Sequence, residues 1–329
     1  MLKVGILGLG WWGTELAKAL EKLPQRAEIA ACASREFKDS KEFAKRFGGH
    51  PCRDLDEILT RPDIDAVILS TPHSQHADQI SVSAAANKQV FVEKPFTLTA
   101  ASGISVARAC EEAGVVLAVG HNRRFSSGAR EIKSLLEAGA LGTVLHVEAN
   151  FSANSAMNYV PDQWRAQRSE APGGALPSLG LHMVDTMTWL LGPIARVACI
   201  AKHQALPVDL DDTTAALFEF ACGVTGTLGT HFACPMTSAF RLQGTAGNIE
   251  AHDDFTRLVW HAAGEGAGPE DRAVEVNDTL VAELAAFIDA CEEGAAFPVT
   301  PAQAIHNIAV MEAMVRSSAR NGAFEMVVS

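Results

Sequence analysis

The sequence predicts an α/β fold in two domains, and three observations predict it. The chain opens on an apolar segment that breaks into Gly8-Leu9-Gly10-Trp11-Trp12-Gly13 and then continues as the helical pattern Glu15, Leu16, Ala17, Lys18, Ala19, Leu20. Up to about residue 122, uninterrupted apolar segments alternate with helical ones, which describes a parallel sheet covered on both faces. Beyond that point the apolar period drops to two and short turns intervene, the pattern of an open, mainly antiparallel sheet. A length of 329 residues suits two cores better than one. The expected domains are 1–122 and 123–329.

Each element follows from its local pattern. The first strand enters a G-x-G-x-x-G turn and leaves as a helix, which is a dinucleotide-binding fingerprint. Gly8 permits the tight turn, Gly10 lets the backbone approach a pyrophosphate, and Gly13 lets the helix pack close to its strand. The helix N-terminus then offers N–H groups and a positive dipole end to phosphate. Strands are expected at 28–32, 66–69, 89–92 and 115–119, with a helix at 38–47. The second domain begins with an amphipathic helix at 129–137. Alternating segments at 144–151, 213–220, 224–232, 239–242 and 248–251 read as an antiparallel meander, interrupted by a helix at 179–191. Helices at 279–292 and 301–318 finish the chain, with the C-terminal helix free to pack back on the first domain. Residues 264–269 read as a flexible surface turn.

Composition excludes several function classes. The net charge of -12 leaves no basic footprint for nucleic acid or an anionic membrane. Seven cysteines are scattered, odd in number and never spaced C-x-x-C, so neither a disulfide framework nor a zinc knuckle is indicated. They read as reduced, buried thiols. The chain enters its first strand almost at Met1, and no apolar stretch reaches the ~18 residues of a membrane span. A cytoplasmic location is the expectation.

Four groups of residues, taken in order, carry a resemblance. Thr71-Pro72 followed by His76, then Glu93-Lys94-Pro95, Asn122-Arg123-Arg124-Phe125, and Gly173-Gly174 leading to Gly180-x-His182-x-x-Asp185 resemble the Gfo/Idh/MocA family of oxidoreductases over almost the whole chain. The resemblance implies an N-terminal Rossmann domain and a C-terminal α/β domain for substrate binding and oligomerisation. It also implies nicotinamide-dependent oxidation or reduction of a sugar, cyclitol or similar polyol. Lys94 and His182 match the family's usual catalytic pair, and the Lys94-Pro95 bond is implied to be cis. Arg123, Tyr159, Trp164 and Arg165 fall in segments that the family places around the substrate, together with Lys94, Ser178 and His182. Relatives pair or form tetramers, so a homodimer or homotetramer is implied.

The residue types suit that chemistry. Hydride transfer at a carbinol carbon needs a group that takes the hydroxyl proton in one direction and returns it in the other. A lysine at the carboxyl end of a parallel strand lies where open sheets bind ligands, and a histidine titrates near ~6.5 without tuning. Four residues before His182, where many relatives carry an aspartate, stands Ser178, which cannot supply a negative charge to an imidazolium. Asp185, three residues beyond, reads equally as an orienting partner or as a structural carboxylate. Two other readings stay open: a non-catalytic NAD(P)-binding regulator of the same fold, and a redox-assisted NAD-dependent glycosidase.

Cofactor preference is read at the end of the second strand. Ser34 occupies the position at which NAD enzymes place an acid, and Arg35 follows it. Serine and guanidinium both suit a 2′-phosphate, so NADP is preferred over NAD, although Glu36 could serve a ribose. Gly8, Gly10, Trp11, Trp12, Gly13, Thr71, Pro72, His76, Glu93 and Lys94 complete the expected cofactor set. His73, His76 and Asp78 stand close together, but loop solvation accounts for them better than a metal does. Alternating strands with Leu217, Phe218, Phe220 and Phe232 suggest a sheet face too apolar to be left wet, and hence self-association.

Overall fold

The computed structural model describes residues 1–264, 266 and 268–328. It divides into two compact units, one made of Met1–Asn122 and Asp278–Ala304, the other of Arg123–Asn277 and Ile305–Ser329.

The first unit is built on six parallel strands: β1 (Leu2–Leu7), β2 (Ala27–Ala33), β3 (His50–Cys52), β4 (Ala66–Leu69), β5 (Gln89–Glu93) and β6 (Leu117–Gly120). They lie in the order β3-β2-β1-β4-β5-β6. Ala66, Val67, Ile68 and Leu69 are each 0% exposed, as a strand covered on both faces requires. Five helices alternate with the strands: α1 (Trp11–Leu20), α2 (Phe37–Phe47), α3 (Leu55–Leu59), α4 (His76–Ala85) and α5 (Ala100–Ala113). Local chemistry ends them cleanly. In α5 the Thr99 hydroxyl accepts from Ser102 N–H at the start, and Gly114 turns into the left-handed region at φ +66° at the end. A later helix, Thr279–Glu293, is capped by the Asp278 carboxylate and packs against α1 in this unit, with Phe287 edge-on to Phe91 at 5.6 Å.

Parallel register decides where the chemistry sits. Leu7 pairs with Ala33 and with Leu69, and Leu69 pairs with Val92. The residues that follow, Gly8, Ser34, Ser70-Thr71 and Glu93-Lys94, therefore emerge along one edge of the sheet. Strand order reverses across β1 and β4, the switch point at which open α/β sheets bind ligands.

Among its described residues the second unit holds α6 (Ser127–Glu137), α7 (Leu181–Leu191), most of the helix Pro301–Ala319 and nine strands. The strands are β7 (Val144–Ser152), β8 (Ile194–Lys202), β9 (Thr213–Phe220), β10 (Thr225–His231), β11 (Thr237–Gly244), β12 (Gly247–His252), β13 (Arg257–Ala262), β14 (Pro269–Arg272) and β15 (Glu325–Met326), ordered β14-β13-β12-β11-β7-β10-β9-β8-β15. The expected meander is thus interrupted. β7 lies between β11 and β10 and runs parallel to β10; the connection that carries α7 supplies the crossover a parallel pair needs. Pro269 opens β14 on the sheet edge, where a missing N–H is tolerated; Glu265 and Ala267 of the expected 264–269 turn lie outside the described residues.

The two sheet faces differ from the simplest reading of the apolar residues. Phe218, Phe220 and Phe232 are each 1% exposed, so they belong to the core rather than to an outer face. Outward go Leu217 and Ile200, 42% and 52% exposed, among Thr225, Glu219 and Arg196. Of the seven free cysteines four are buried, but Cys222 is exposed rather than buried because it lies in the turn between β9 and β10. Burial pushes the Cys32 thiol up to about 11 and that of Cys199 to about 12. No helix among the described residues is long and apolar enough to cross a membrane.

Candidate active site

In the first unit the glycine loop is fixed by backbone contacts on two sides. Gly8 donates its N–H to Ala33 O at 3.0 Å, and Ser70 Oγ donates to Gly8 O at 2.6 Å. Gly8 sits at φ +94°, and a Cβ there would lie 2.5 Å from Ser70 O; a Cβ on Gly13 would collide with Gly8 O. Only glycine fits either position. Gly10 is different: apart from its own chain neighbours, no described atom lies within 4 Å of where its Cβ would stand. Packing does not require glycine there, and the open space at the start of α1 leaves room for a ligand to approach the backbone. Gly10 also provides no side-chain cap for α1, whose first turn carries no acidic residue, leaving that helix end suited to an anion. Beside it Trp11 is 72% exposed, with its ring 5.2 Å from that of Trp12. These residues fit a dinucleotide.

At the end of β2, Ser34 N–H donates to Ser40 Oγ at 3.0 Å, which fixes the backbone. The Arg35 side chain is 93% exposed, and its ion-pair contact is Glu36 at 3.8 Å. At the end of β4, Thr71 Oγ1 donates to Gln79 Oε1 at 2.5 Å, with Pro72 leading into the turn His73–Gln75. His76, expected to contact the cofactor, has both ring nitrogens on backbone carbonyls. It is fully buried, with Nδ1 2.8 Å from Pro95 O and Nε2 3.0 Å from Thr71 O. Its ring braces the end of β4 against the Lys94–Pro95 corner. His73 is 9% exposed, so burial, not loop solvation, accounts for this pair. Among the described residues no group of three or more His, Cys, Asp or Glu is arranged to hold a metal.

The peptide bond between Lys94 and Pro95 is cis. Lys94 is half-buried at the carboxyl end of β5, and Lys94 N–H donates to Glu93 Oε2 at 3.3 Å. Glu93 points inward and is 7% exposed. A Cβ on Gly120 would come within 2.9 Å of Glu93 Oε1, so glycine at the end of β6 makes room for the carboxyl. Burial pushes this carboxyl up to about 7, opposed by the Trp12 indole N–H and by the neighbouring Lys94 charge and backbone N–H.

In the second unit His182 lies in the first turn of α7, 7% exposed, with its ring edge-on to Phe151 at 5.9 Å. The Arg123 guanidinium covers Phe151 at 4.2 Å. Ser178 sits four residues before His182 in the wide turn Leu176–Gly180, half-buried on the approach to α7. Gly174, at φ +68°, precedes it; a Cβ there would collide with Asp211 O. Asp185 is tied into a network that sequence proximity did not reveal. Arg124 Nε and Nη2 donate to its two oxygens at 2.9 and 2.7 Å, and Asn307 Nδ2 donates to Oδ1 at 2.7 Å. Of the softer substrate candidates, Tyr159 packs with Ala156, Leu206, Val208 and Leu210, its ring 6.2 Å from that of Phe232, and burial raises its phenol. The exposed Arg165 lies over the Trp164 ring at 4.2 Å.

A parallel sheet with an open glycine loop, joined to a second unit with a mixed sheet, defines a nicotinamide-dependent oxidoreductase. The chain belongs to the Gfo/Idh/MocA family: residues 2–121 match its model for an oxidoreductase family with an NAD-binding Rossmann fold, and residues 129–250 match its C-terminal domain. It is 27% identical to scyllo-inositol 2-dehydrogenase (NADP(+)) of Bacillus subtilis, over 96% of this chain and 94% of that one. It is 30% identical to an Amycolatopsis mediterranei protein provisionally assigned as the oxidoreductase subunit of UDP-kanosamine synthase, over 77% of this chain and 76% of that one. A crystal structure from Desulfitobacterium hafniense, provisionally described as an NADPH-dependent oxidoreductase, superposes with a TM-score of 0.94 at 27% identity, covering 99% of this chain and 97% of that one.

Proposed function

We propose that this chain interconverts a CH–OH group and its carbonyl on a sugar, cyclitol or related polyol, with NADP preferred over NAD and with Lys94 and His182 handling the hydroxyl proton. The bound nicotinamide supplies the hydride acceptor or donor. The observation that carries the reading is Lys94 at the carboxyl end of β5, on the same sheet edge as a glycine loop whose middle residue faces open space. In the oxidative direction a neutral amine or imidazole takes the hydroxyl proton, and the protonated form returns it on reduction. Ser34 and Arg35 support NADP, since an exposed guanidinium whose ion-pair contact is the likewise exposed Glu36 at 3.8 Å can turn to a 2′-phosphate. The name of the Bacillus subtilis relative carries the same cofactor.

Nicotinamide absorbance with NADP and NAD against sugars, cyclitols and sugar acids tests this reading. Turnover of at least one polyol, faster with NADP, is the expected result; retention of NAD through gel filtration with turnover of glycosides would point to a redox-assisted glycosidase instead. The chain is also proposed to be a homodimer or homotetramer, closed through the strip Ala198, Ile200, Ala215 and Leu217 on β8 and β9. Ala198 pairs with Leu217 and Ile200 with Ala215, which gathers the exposed aliphatics. Light scattering at micromolar concentration should give a multiple of 34.9 kDa; a monomer mass would refute this.

A further inference from the structure

The turn between β12 and β13 has an unusual backbone. Asp253, Asp254 and Phe255 take φ of +51°, +56° and +67° there, three successive non-glycine residues in the left-handed region, which aspartate tolerates better than phenylalanine. Phe255 holds the turn down: it is 1% exposed and lies 5.4 Å from Phe240, and its carbonyl leaves no room for a Cβ on Gly128.

What this conformation places is Asp254. Its Oδ1 accepts from Arg123 Nε at 2.7 Å, across 131 residues of sequence. The Asp254 side chain is 49% exposed and that of Arg123 only 8%. Burial works against the charged guanidinium, and the carboxylate offsets it. One of the five guanidinium donors is thereby used; the Nη groups make no hydrogen bond to any described residue. They lie over Phe151, whose ring meets that of His182. Neither Nη is fully buried, so these N–H groups are open to an oxygen-rich ligand beside His182.

We propose that Asp254 is a positioning residue for substrate recognition: by holding Nε it fixes the Arg123 guanidinium so that the Nη donors take neighbouring oxygens of the polyol. This inference rests on the oxidoreductase reading and assigns Arg123 its part in it. Its test compares Asp254→Gly with Asp254→Asn in the full chain, using NADP and a polyol that the wild type turns over. Glycine relaxes the backbone but removes the acceptor; asparagine keeps an acceptor and accepts the left-handed conformation. Asp254→Gly is expected to raise KM for the polyol about tenfold or more, with the NADP dissociation constant at the wild-type value. Asp254→Asn should recover most of the loss. An unchanged KM in Asp254→Gly, or equal losses in both variants, overturns the inference while leaving the oxidoreductase reading intact. A wild type that turns over no polyol refutes both.

Discussion

Asp185→Asn separates the two roles that a carboxylate near His182 can have. The Arg124 and Asp185 side chains are each 1% exposed, and the carboxylate accepts from Arg124 Nε, Arg124 Nη2 and Asn307 Nδ2. An amide keeps the volume but offers one acceptor oxygen, and its NH2 confronts other donors. It also leaves the guanidinium buried without its counter-charge. Removing one partner of a buried ion pair costs ~3–5 kcal/mol, a large share of a ~5–15 kcal/mol total. For a unit of this size each kcal/mol moves the melting temperature by ~2–4 °C, so thermal denaturation followed by circular dichroism should show a fall of about 10 °C. Replacing both partners by apolar residues of similar volume should recover much of it. A variant that melts within ~2 °C of wild type yet loses turnover would refute this reasoning and make Asp185 a partner of His182 in the chemistry.

Two further outcomes follow from the first unit. Arg35→Ala should weaken NADP binding by one to two orders of magnitude, the scale of ~1.5–3 kcal/mol for a hydrogen bond to a charged group, and leave NAD nearly unaffected; equal losses in calorimetric titrations of both cofactors would contradict the assignment. Glu93 makes stability depend on pH. Burial pushes its carboxyl up to about 7 from the ordinary 4.5, so the folded chain binds the proton more tightly than the unfolded one. The resulting stabilisation is fully present below about pH 4.5 and is lost as pH rises through about 7. Glu93→Gln, which imitates the protonated carboxyl, should gain melting temperature on wild type between pH 5 and pH 8; parallel profiles would show that Glu93 does not titrate in this window.

Local patterns were legible in the sequence because their causes are local. Gly8 and Gly13 are dictated by backbone atoms of the same strand-turn-helix unit and its neighbour, and the alternation of apolar strands with helices imposed the parallel sheet. Long-range pairs were not legible. Arg124 meets Asp185 across 61 residues and Arg123 meets Asp254 across 131, and no periodicity connects such positions. The same limit hid the insertion of β7 beside β10 and the use of His76 as a brace. His76 stands where a cofactor contact is expected, but its ring nitrogens face carbonyls brought there by two different strand ends. Phe218 and Leu217 show the converse: alternation separated them correctly, but which of the two faces the core depends on the sheet's partners.

If Lys94 moves the proton that accompanies hydride transfer, Lys94→Ala should keep cofactor binding and lose the chemical step. NADPH fluorescence titration should give a dissociation constant close to wild type, because Gly8, Gly10 and Arg35 are untouched. Single-turnover reduction of the best substrate should slow by roughly 10² to 10⁴, the contribution of a general acid–base group. A variant that binds NADPH normally and keeps more than about a tenth of the wild-type rate would contradict the claim.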